Sequence, residues 1–278
     1  MHRPNRLKIV HVVRSPIGGI FRHIVDLVDA QTKAGHDVGI ICDSTTGGHF
    51  EDDVIAAVKP KLSLGATRFP MRRSVALSDF VAVRRVLEHL GKVVPDVLHC
   101  HGAKGGAYGR LIAAWLGRRR PIASIYAPHG GSLHYDESSL EGMFYFRIER
   151  MLERVTDALI HVSAYEAEVY REKIGIPRCR SAIIRNGLRD SEFTPITTKN
   201  DARDLLFLGM LRDLKGVDVF LEAIAKLEAA YGRKLSAHVV GQSEETGHYE
   251  ALAANLGMPT ASRFQRRSRR GRRSPPPA

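Results

Sequence analysis

No apolar run in the sequence approaches the roughly 20 residues that a membrane-spanning helix needs. The apolar stretch near the N-terminus, Ile9 to Val13, is too short for the core of a signal peptide. Cysteine is scarce: Cys42, Cys100 and Cys179 are scattered and odd in number. That excludes a disulfide scaffold and fits a reducing cytoplasm with buried thiols. Acidic residues are absent from residues 259–278, where seven arginines stand among Pro and Ser. Those arginines supply seven of the net +12 charge, so residues 1–258 carry only +5. A mildly basic body suits an anionic small molecule or a membrane surface and does not call for nucleic acid. What remains is ordinary globular composition, 278 residues with 44% hydrophobic and 26% charged, which excludes a disordered chain, a coiled coil and a collagen.

The chain alternates strand and helix. Lys8 to Val13 reads as a strand ending in a turn at Ser15-Pro16-Ile17-Gly18-Gly19. Ile20, Ile24, Leu27 and Val28 follow at helical spacing, with Gly35 placed to end the helix. Further strands are expected at Val38 to Cys42, Asp96 to Cys100, Pro121 to Tyr126, Ala158 to Ser163 and Ser181 to Arg185. Helices fit near 77–91, 105–117, 138–155 and 164–174. Strands separated by helices of this length predict a parallel sheet covered on both faces, with ligands at the carboxyl ends of the strands.

The pattern predicts a first Rossmann-like domain over 1–188, a polar linker over 189–202 and a partial second domain over 203–258. The second domain offers two strands, Leu205 to Leu208 and Leu235 to Val240, which are too few for an independent sheet. Its helices are marked by Val217, Phe220, Leu221, Ile224 and Leu227, and by His248 to Leu256. The Arg/Pro-rich tail, 259–278, is expected to be disordered or aberrant in origin, or else a basic arm for nucleic acid or anionic lipid.

Four loops after strands carry candidate chemistry. Gly18-Gly19 enters a helix and reads as a phosphate cradle or a plain tight turn; it is neither G-x-G-x-x-G nor a Walker A motif. His99-Cys100-His101-Gly102 opens the next helix. Its two histidines are expected on opposite faces of a strand, one inward and one toward a cleft, and no Asp or Cys completes a metal set. Pro128-His129-Gly130-Gly131 places His129 at a cleft edge, where a neutral imidazole can bond a sugar hydroxyl or a developing charge, or be satisfied by backbone. His134 and Tyr135 follow closely enough to line the same pocket. Gly209 to Gly216 sets Arg212 and Lys215 beside a helix start, as a diphosphate clamp or a solvated turn. Ser163, Glu166 and Asn186 also follow strands, and either cap helices and turns or touch substrate. No nucleophile elbow, zinc motif or kinase motif set is present.

In this order and spacing, the loops resemble those of a glycosyltransferase of family 4. The matching residues are Gly18-Gly19, His99-Cys100-His101-Gly102, Pro128-His129-Gly130, Val162-Ser163 with Glu166, Arg185-Asn186-Gly187, Phe207-Leu208-Gly209, Lys215-Gly216-Val217-Asp218 and Val239-Val240-Gly241. The resemblance covers residues 7–258. It implies a GT-B fold of two facing Rossmann-like domains and a retaining transfer of sugar from a nucleotide-diphosphate donor to an acceptor hydroxyl. It implies catalytic His129 near the donor sugar. Gly18 and Gly19 would face the donor phosphates or the acceptor, and Arg212, Lys215 and Gly216 would lie at the donor, although the arginine that often follows the family's glycine is Met210 here, so Arg212 would supply the charge. His101, Gly102, Gly130, His134, Ser163, Glu166 and Asn186 would line the cleft.

No cofactor and no metal are implied, only the nucleotide-sugar donor and a glycan or lipid-linked acceptor. The family's paired glutamates would lie beyond residue 258, so a truncated or frameshifted chain with half a donor site is expected. Such enzymes often build bacterial polysaccharide or envelope glycans. Arg72, Arg73, Arg84, Arg85 and Arg118 to Arg120 are candidates for peripheral contact with an anionic membrane at its inner face, or form a solvated basic surface. Two alternatives remain open: a non-catalytic module binding glycan, partner or nucleic acid, and another GT-B enzyme such as a sugar-nucleotide epimerase.

Overall fold

The computed structural model describes residues 6–71, 78–241, 245–258 and 263–265, in two compact units divided after Arg189. The first unit has seven parallel strands: β1 (Lys8–Val13), β2 (Asp37–Asp43), β3 (Ala66–Phe69), β4 (Val97–His101), β5 (Ala123–Ala127), β6 (Ala158–His161) and β7 (Arg180–Ile183). Their order is β3-β2-β1-β4-β5-β6-β7, so the chain runs outward from β1 in one direction and then the other. The reversal falls between β1 and β4, the place where open α/β sheets bind ligands. The helices are α1 (Gly18–Lys33), α2 (His49–Val58), α3 (Ser78–Val93), α4 (Gly102–Leu116), α5 (Leu140–Leu152) and α6 (Ala164–Lys173).

The period of two along β1 assigns its residues to the two faces. Val10 and Val12 join the core that holds Leu98, Cys100, Tyr108, Ile112 and Tyr126. Val13 joins the opposite core, with Phe21, Ile24 and Val28 of α1. Helix α4 lies unusually close to the sheet. A Cβ on Gly105 would stand 2.8 Å from the Val12 carbonyl oxygen, and one on Gly106 would overlap the Tyr126 ring. Glycine inside a helix costs about 1 kcal/mol relative to alanine; here close packing on three strands offsets that.

The sequence pattern marks no element between Cys42 and residue 77, yet α2 and β3 fill it. Strand β3 is a half-buried edge of four residues, with no apolar run to reveal it. The expected strands at 96–100, 121–126, 158–163 and 181–185 are present as β4 to β7, with no end shifted by more than two residues.

The second unit holds β8 (Leu205–Leu208), α7 (Val217–Tyr231), β9 (Ala237–Val240), α8 (Thr246–Asn255) and β10 (Arg263–Gln265), with parallel strand order β10-β9-β8. The expectation of only two strands is therefore corrected. The third comes from the Arg-rich tail, whose residues 263–265 pair along β9 from His238 to Val240. A three-residue edge strand can be this polar because one side of its backbone ladder is open. The core of this unit is Leu211, Val217, Leu221, Ile224, Ala237, Val239, Tyr249, Ala253 and Met258. No helix among the described residues is long and apolar enough to cross a membrane.

Candidate functional site

The carboxyl ends of β1, β4 and β5 converge with the starts of α1 and α4. Helix α1 begins at Gly18 (φ 68°) after Ile17, and α4 begins at Gly102 after His101. Neither cap residue offers a side-chain hydrogen bond, and neither first turn holds an acid. Helices α5 and α6, by contrast, are capped by Ser139 and Ser163, whose hydroxyls accept from the backbone N–H of Gly142 and Glu166. A helix start without a capping side chain turns N–H donors outward at the positive end of the dipole, suited to a phosphate or hydroxyl.

A cluster of histidines lies beneath these helix starts. His11 of β1 stands in register with His99 of β4, and His101 follows two residues later on the same face. The expected split of His99 and His101 between faces is thus corrected: their rings lie 4.2 Å apart, and both are buried. His11 Nδ1 and His101 Nε2 are 3.1 Å apart, and His101 Nδ1 and His129 Nε2 are 3.0 Å apart. His11 Nε2 reaches Oε1 of Gln31, on the last turns of α1, at 2.9 Å. His23 of α1 packs edge-on against His129, with ring centroids 5.5 Å apart.

Burial removes the water that would stabilise an imidazolium. It lowers His11 to about 4, against the partial support of the Gln31 bond, and lowers His129 to about 4, helped by His23. Burial likewise pushes His99 and His101 well below the usual histidine value, with the neighbouring histidines adding to it. At neutral pH these rings are uncharged, each with one donor and one acceptor. His11, His99 and His101 each bring a ligand atom within 4.8 Å of the others, a set of metal-ligand type. His11 and His101 are, however, already hydrogen bonded to each other.

His129 sits at φ 51° and Gly130 at φ 76°, a left-handed step that is strained for the histidine and easy for the glycine. Two buried carboxylates hold this loop. Glu166 accepts from the Gly130 N–H at 2.6 Å and from the Val162 N–H at 2.9 Å. Glu149 accepts from the Tyr126 and Ser132 hydroxyls, both at 3.0 Å, and pairs with Arg110 at 2.6 Å. Arg110 is fully buried and lies 3.7 Å from the Tyr126 ring centre. Burial, the largest single effect, would lower its guanidinium, but the charge and hydrogen bond of Glu149, together with Tyr126 and Cys100, outweigh it and raise the guanidinium.

Of the residues singled out from sequence, Gly18, Gly19, His101, Gly102, His129 and Gly130 come together here. Ser163 and Glu166 serve the framework, the first as a helix cap and the second as an anchor for the His129 loop. His134 is exposed and stacks on Tyr135, whose ring stacks on Tyr145. No described ring contact joins His134 to the cluster, so its expected place beside His129 is not supported. Asn186 is exposed, three residues past β7. In the second unit, Arg212 and Lys215 are exposed around a short 3-10 turn, and Gly216 (φ 67°) begins α7. The Asp213 carboxylate of that turn accepts from the Tyr249 hydroxyl at 2.7 Å.

Of the basic residues considered for a membrane, Arg84 pairs with Glu88, Arg120 pairs with Asp96, and Arg118 lies over Trp115. Arg72 and Arg73 lie outside the described residues. Sequence reasoning missed His11, His23, Gln31, Arg110 and Glu149. For His11 a signal existed: an odd position in a short apolar strand, on the α1 face.

Residues 17–192 match the family described as Glycosyltransferase Family 4, and residues 189–272 match that described as Glycosyl transferases group 1. One relative is the UDP-Gal:alpha-D-GlcNAc-diphosphoundecaprenol alpha-1,3-galactosyltransferase of Escherichia coli. It is 22% identical over 212 residues, 75% of this chain and 52% of the relative. The D-inositol 3-phosphate glycosyltransferase of Geodermatophilus obscurus is 33% identical over 125 residues, 39% of this chain and 28% of the relative. Among solved structures, Anabaena HepE in complex with UDP and glucose aligns with a TM-score of 0.70 at 15% identity, covering 94% of this chain and 69% of that one. The chain thus spans about half the length of the Escherichia coli relative.

Proposed function

The chain belongs to Glycosyltransferase Family 4, and on that footing we propose that it transfers a sugar, with retention, from a nucleotide-diphosphate donor to an acceptor hydroxyl in bacterial polysaccharide or envelope-glycan synthesis. The observation that carries the reading is the neutral His129, held on a strained loop beside the uncapped starts of α1 and α4. A neutral imidazole binds a sugar hydroxyl without attracting bulk anions, while outward-turned helix N–H groups favour phosphate or hydroxyl oxygens. Arg212, Lys215 and Gly216 are assigned to the diphosphate: two exposed cations and a glycine start of α7 fit an anion. The lipid-linked acceptor named for the Escherichia coli relative supports an acceptor of that class here, reached through peripheral contact with an anionic membrane. No cofactor or metal is assigned to the transfer.

The test offers UDP-galactose and UDP-glucose to the full chain by calorimetry. It then adds a polyprenyl-diphosphate-linked sugar in anionic vesicles, with and without EDTA. Saturable donor binding, weakened about tenfold by Lys215→Ala, and an α-linked product insensitive to EDTA are expected. The loss of one charge-assisted contact is worth about 1.5–3 kcal/mol, so tenfold is the lower bound of that range. Absence of binding by either donor at millimolar concentration overturns the assignment.

A further inference from the structure

We propose that Gln31, His11 and His101 form a hydrogen-bonded relay that fixes the tautomer of His129, so that His129 Nδ1 presents a lone pair to a ligand hydroxyl. The proposal deepens the reading of His129 as a ligand-contacting residue and rests on it for its purpose. The relay itself stands on geometry. Four groups from α1, β1, β4 and the loop after β5 join end to end through contacts of 2.9, 3.1 and 3.0 Å. The two middle rings are fully buried, with 0% exposure each.

A neutral imidazole carries one N–H and one lone pair, on opposite sides of the ring. A row of such rings can therefore point its donors only one way throughout. If one contact reverses, a neighbouring contact sets two N–H groups, or two lone pairs, against each other. The direction is chosen at the end of the row. Gln31 turns Oε1, an acceptor, to His11 Nε2. His11 must then donate from Nε2 and accept at Nδ1. His101 donates from Nε2 to His11 and accepts at Nδ1. His129 donates from Nε2 to His101, which leaves its Nδ1 unprotonated. Rings kept neutral by burial cannot escape this rule by taking a second proton. His99 lies against both middle rings without joining the row, and its Nε2 is buried without a partner.

Gln31, His11 and His101 are positioning residues under this proposal: none of them touches the ligand. Its consequence is a preference for a ligand group that donates a hydrogen bond. A hydroxyl at that point satisfies Nδ1, whereas a fluorine or a methoxy oxygen sets lone pair against lone pair.

The experiment reads tautomers directly, by long-range proton–nitrogen correlation of the histidine rings in the uniformly nitrogen-15-labelled full chain at pH 7.5, with no ligand. His129, His101 and His11 are expected protonated at Nε2 and bare at Nδ1. Gln31→Glu keeps an acceptor at the end of the row and is expected to keep that pattern. Gln31→Lys offers only donors and is expected to reverse all three rings, His129 included. A folded Gln31→Lys chain in which His129 keeps its wild-type tautomer overturns the relay. So does a wild-type spectrum with His129 protonated at Nδ1. Stoichiometric Zn²⁺ binding that shifts His11, His99 and His101 together would also overturn it, by making the cluster a metal site. Should Gln31→Lys not fold, the wild-type pattern decides alone. Because no sugar nucleotide is present, a failed relay is distinct from a failed donor assignment. The latter would show instead as unmoved His129 resonances on adding UDP-galactose.

Discussion

Two buried polar clusters lie on the same sheet and meet the cost of burial in opposite ways. The histidine cluster, on the α1 side, gives up its charge: burial drives its rings to the neutral form. Arg110, on the α4 side, keeps its charge by pairing with Glu149, and Tyr126 and Ser132 supply further donors to the carboxylate. Desolvating an ion costs several kcal/mol unless a partner compensates it, and an imidazole has the option of releasing its proton where a guanidinium does not. The first cluster therefore stays uncharged, and only its His129 end is able to face a ligand. The second is bound through Arg110 Nε and Nη2, with Nη1 buried and unpartnered, and its role is to hold the turn after His129.

That contrast can be broken experimentally. The largest effect is expected from Glu149→Ala, which strands a fully buried guanidinium. Loss of about 3–5 kcal/mol is expected, read as a lowered urea midpoint. A loss below about 1 kcal/mol would mean that Arg110 finds another partner.

Acid should act on the histidine side. Its rings have folded values below their unfolded ones, so the unfolded chain binds more protons as pH falls. The stability held by His11 is present in full above the unfolded value of 6.5 and is lost as pH drops through its folded value of about 4. Over that window His11 alone accounts for about 3 kcal/mol, at 1.36 kcal/mol per unit. Urea midpoints measured from pH 7.5 to 4.5 should fall, and fall less steeply in His11→Asn. Equal slopes would remove His11 from the account.

The smallest effect belongs to the rim of the Arg110–Glu149 cluster. Ser132→Ala removes one hydroxyl from Glu149, which retains Arg110 and Tyr126. A loss of about 1.5 kcal/mol is expected by thermal or urea unfolding, with the His129 resonances little changed. A large displacement of those resonances would show that Ser132, rather than the carboxylate, sets the loop.

Much of the fold was legible because strand and helix periods survive in the local sequence. β1, α1, β2 and β4 to β7 follow apolar runs broken by Gly or polar turns. The element starts that matter for the candidate site, Gly18 and Gly102, were legible for the same reason, as was His129 just past β5. β3 was not legible, being short and half-buried. β10 was not, because Arg263-Phe264-Gln265 looks like the arginine-rich tail around it and gains strand character only by pairing with β9. His99 and His101 were legible as residues but misread in direction, since positions two apart on a strand share a face.

The sequence by itself determined a parallel α/β architecture, the loops that follow its strands and the family to which they belong. Periodicity, turn residues and motif order are properties of the local chain. Only the tertiary structure decided which side chains share a proton. His11, Gln31, His101 and His129 are separated by up to 118 positions, yet they form one row because β1 and β4 lie side by side and α1 covers them. Hydrogen bonding and desolvation depend on distances of about 3 Å and on the exclusion of water, which no one-dimensional spacing contains.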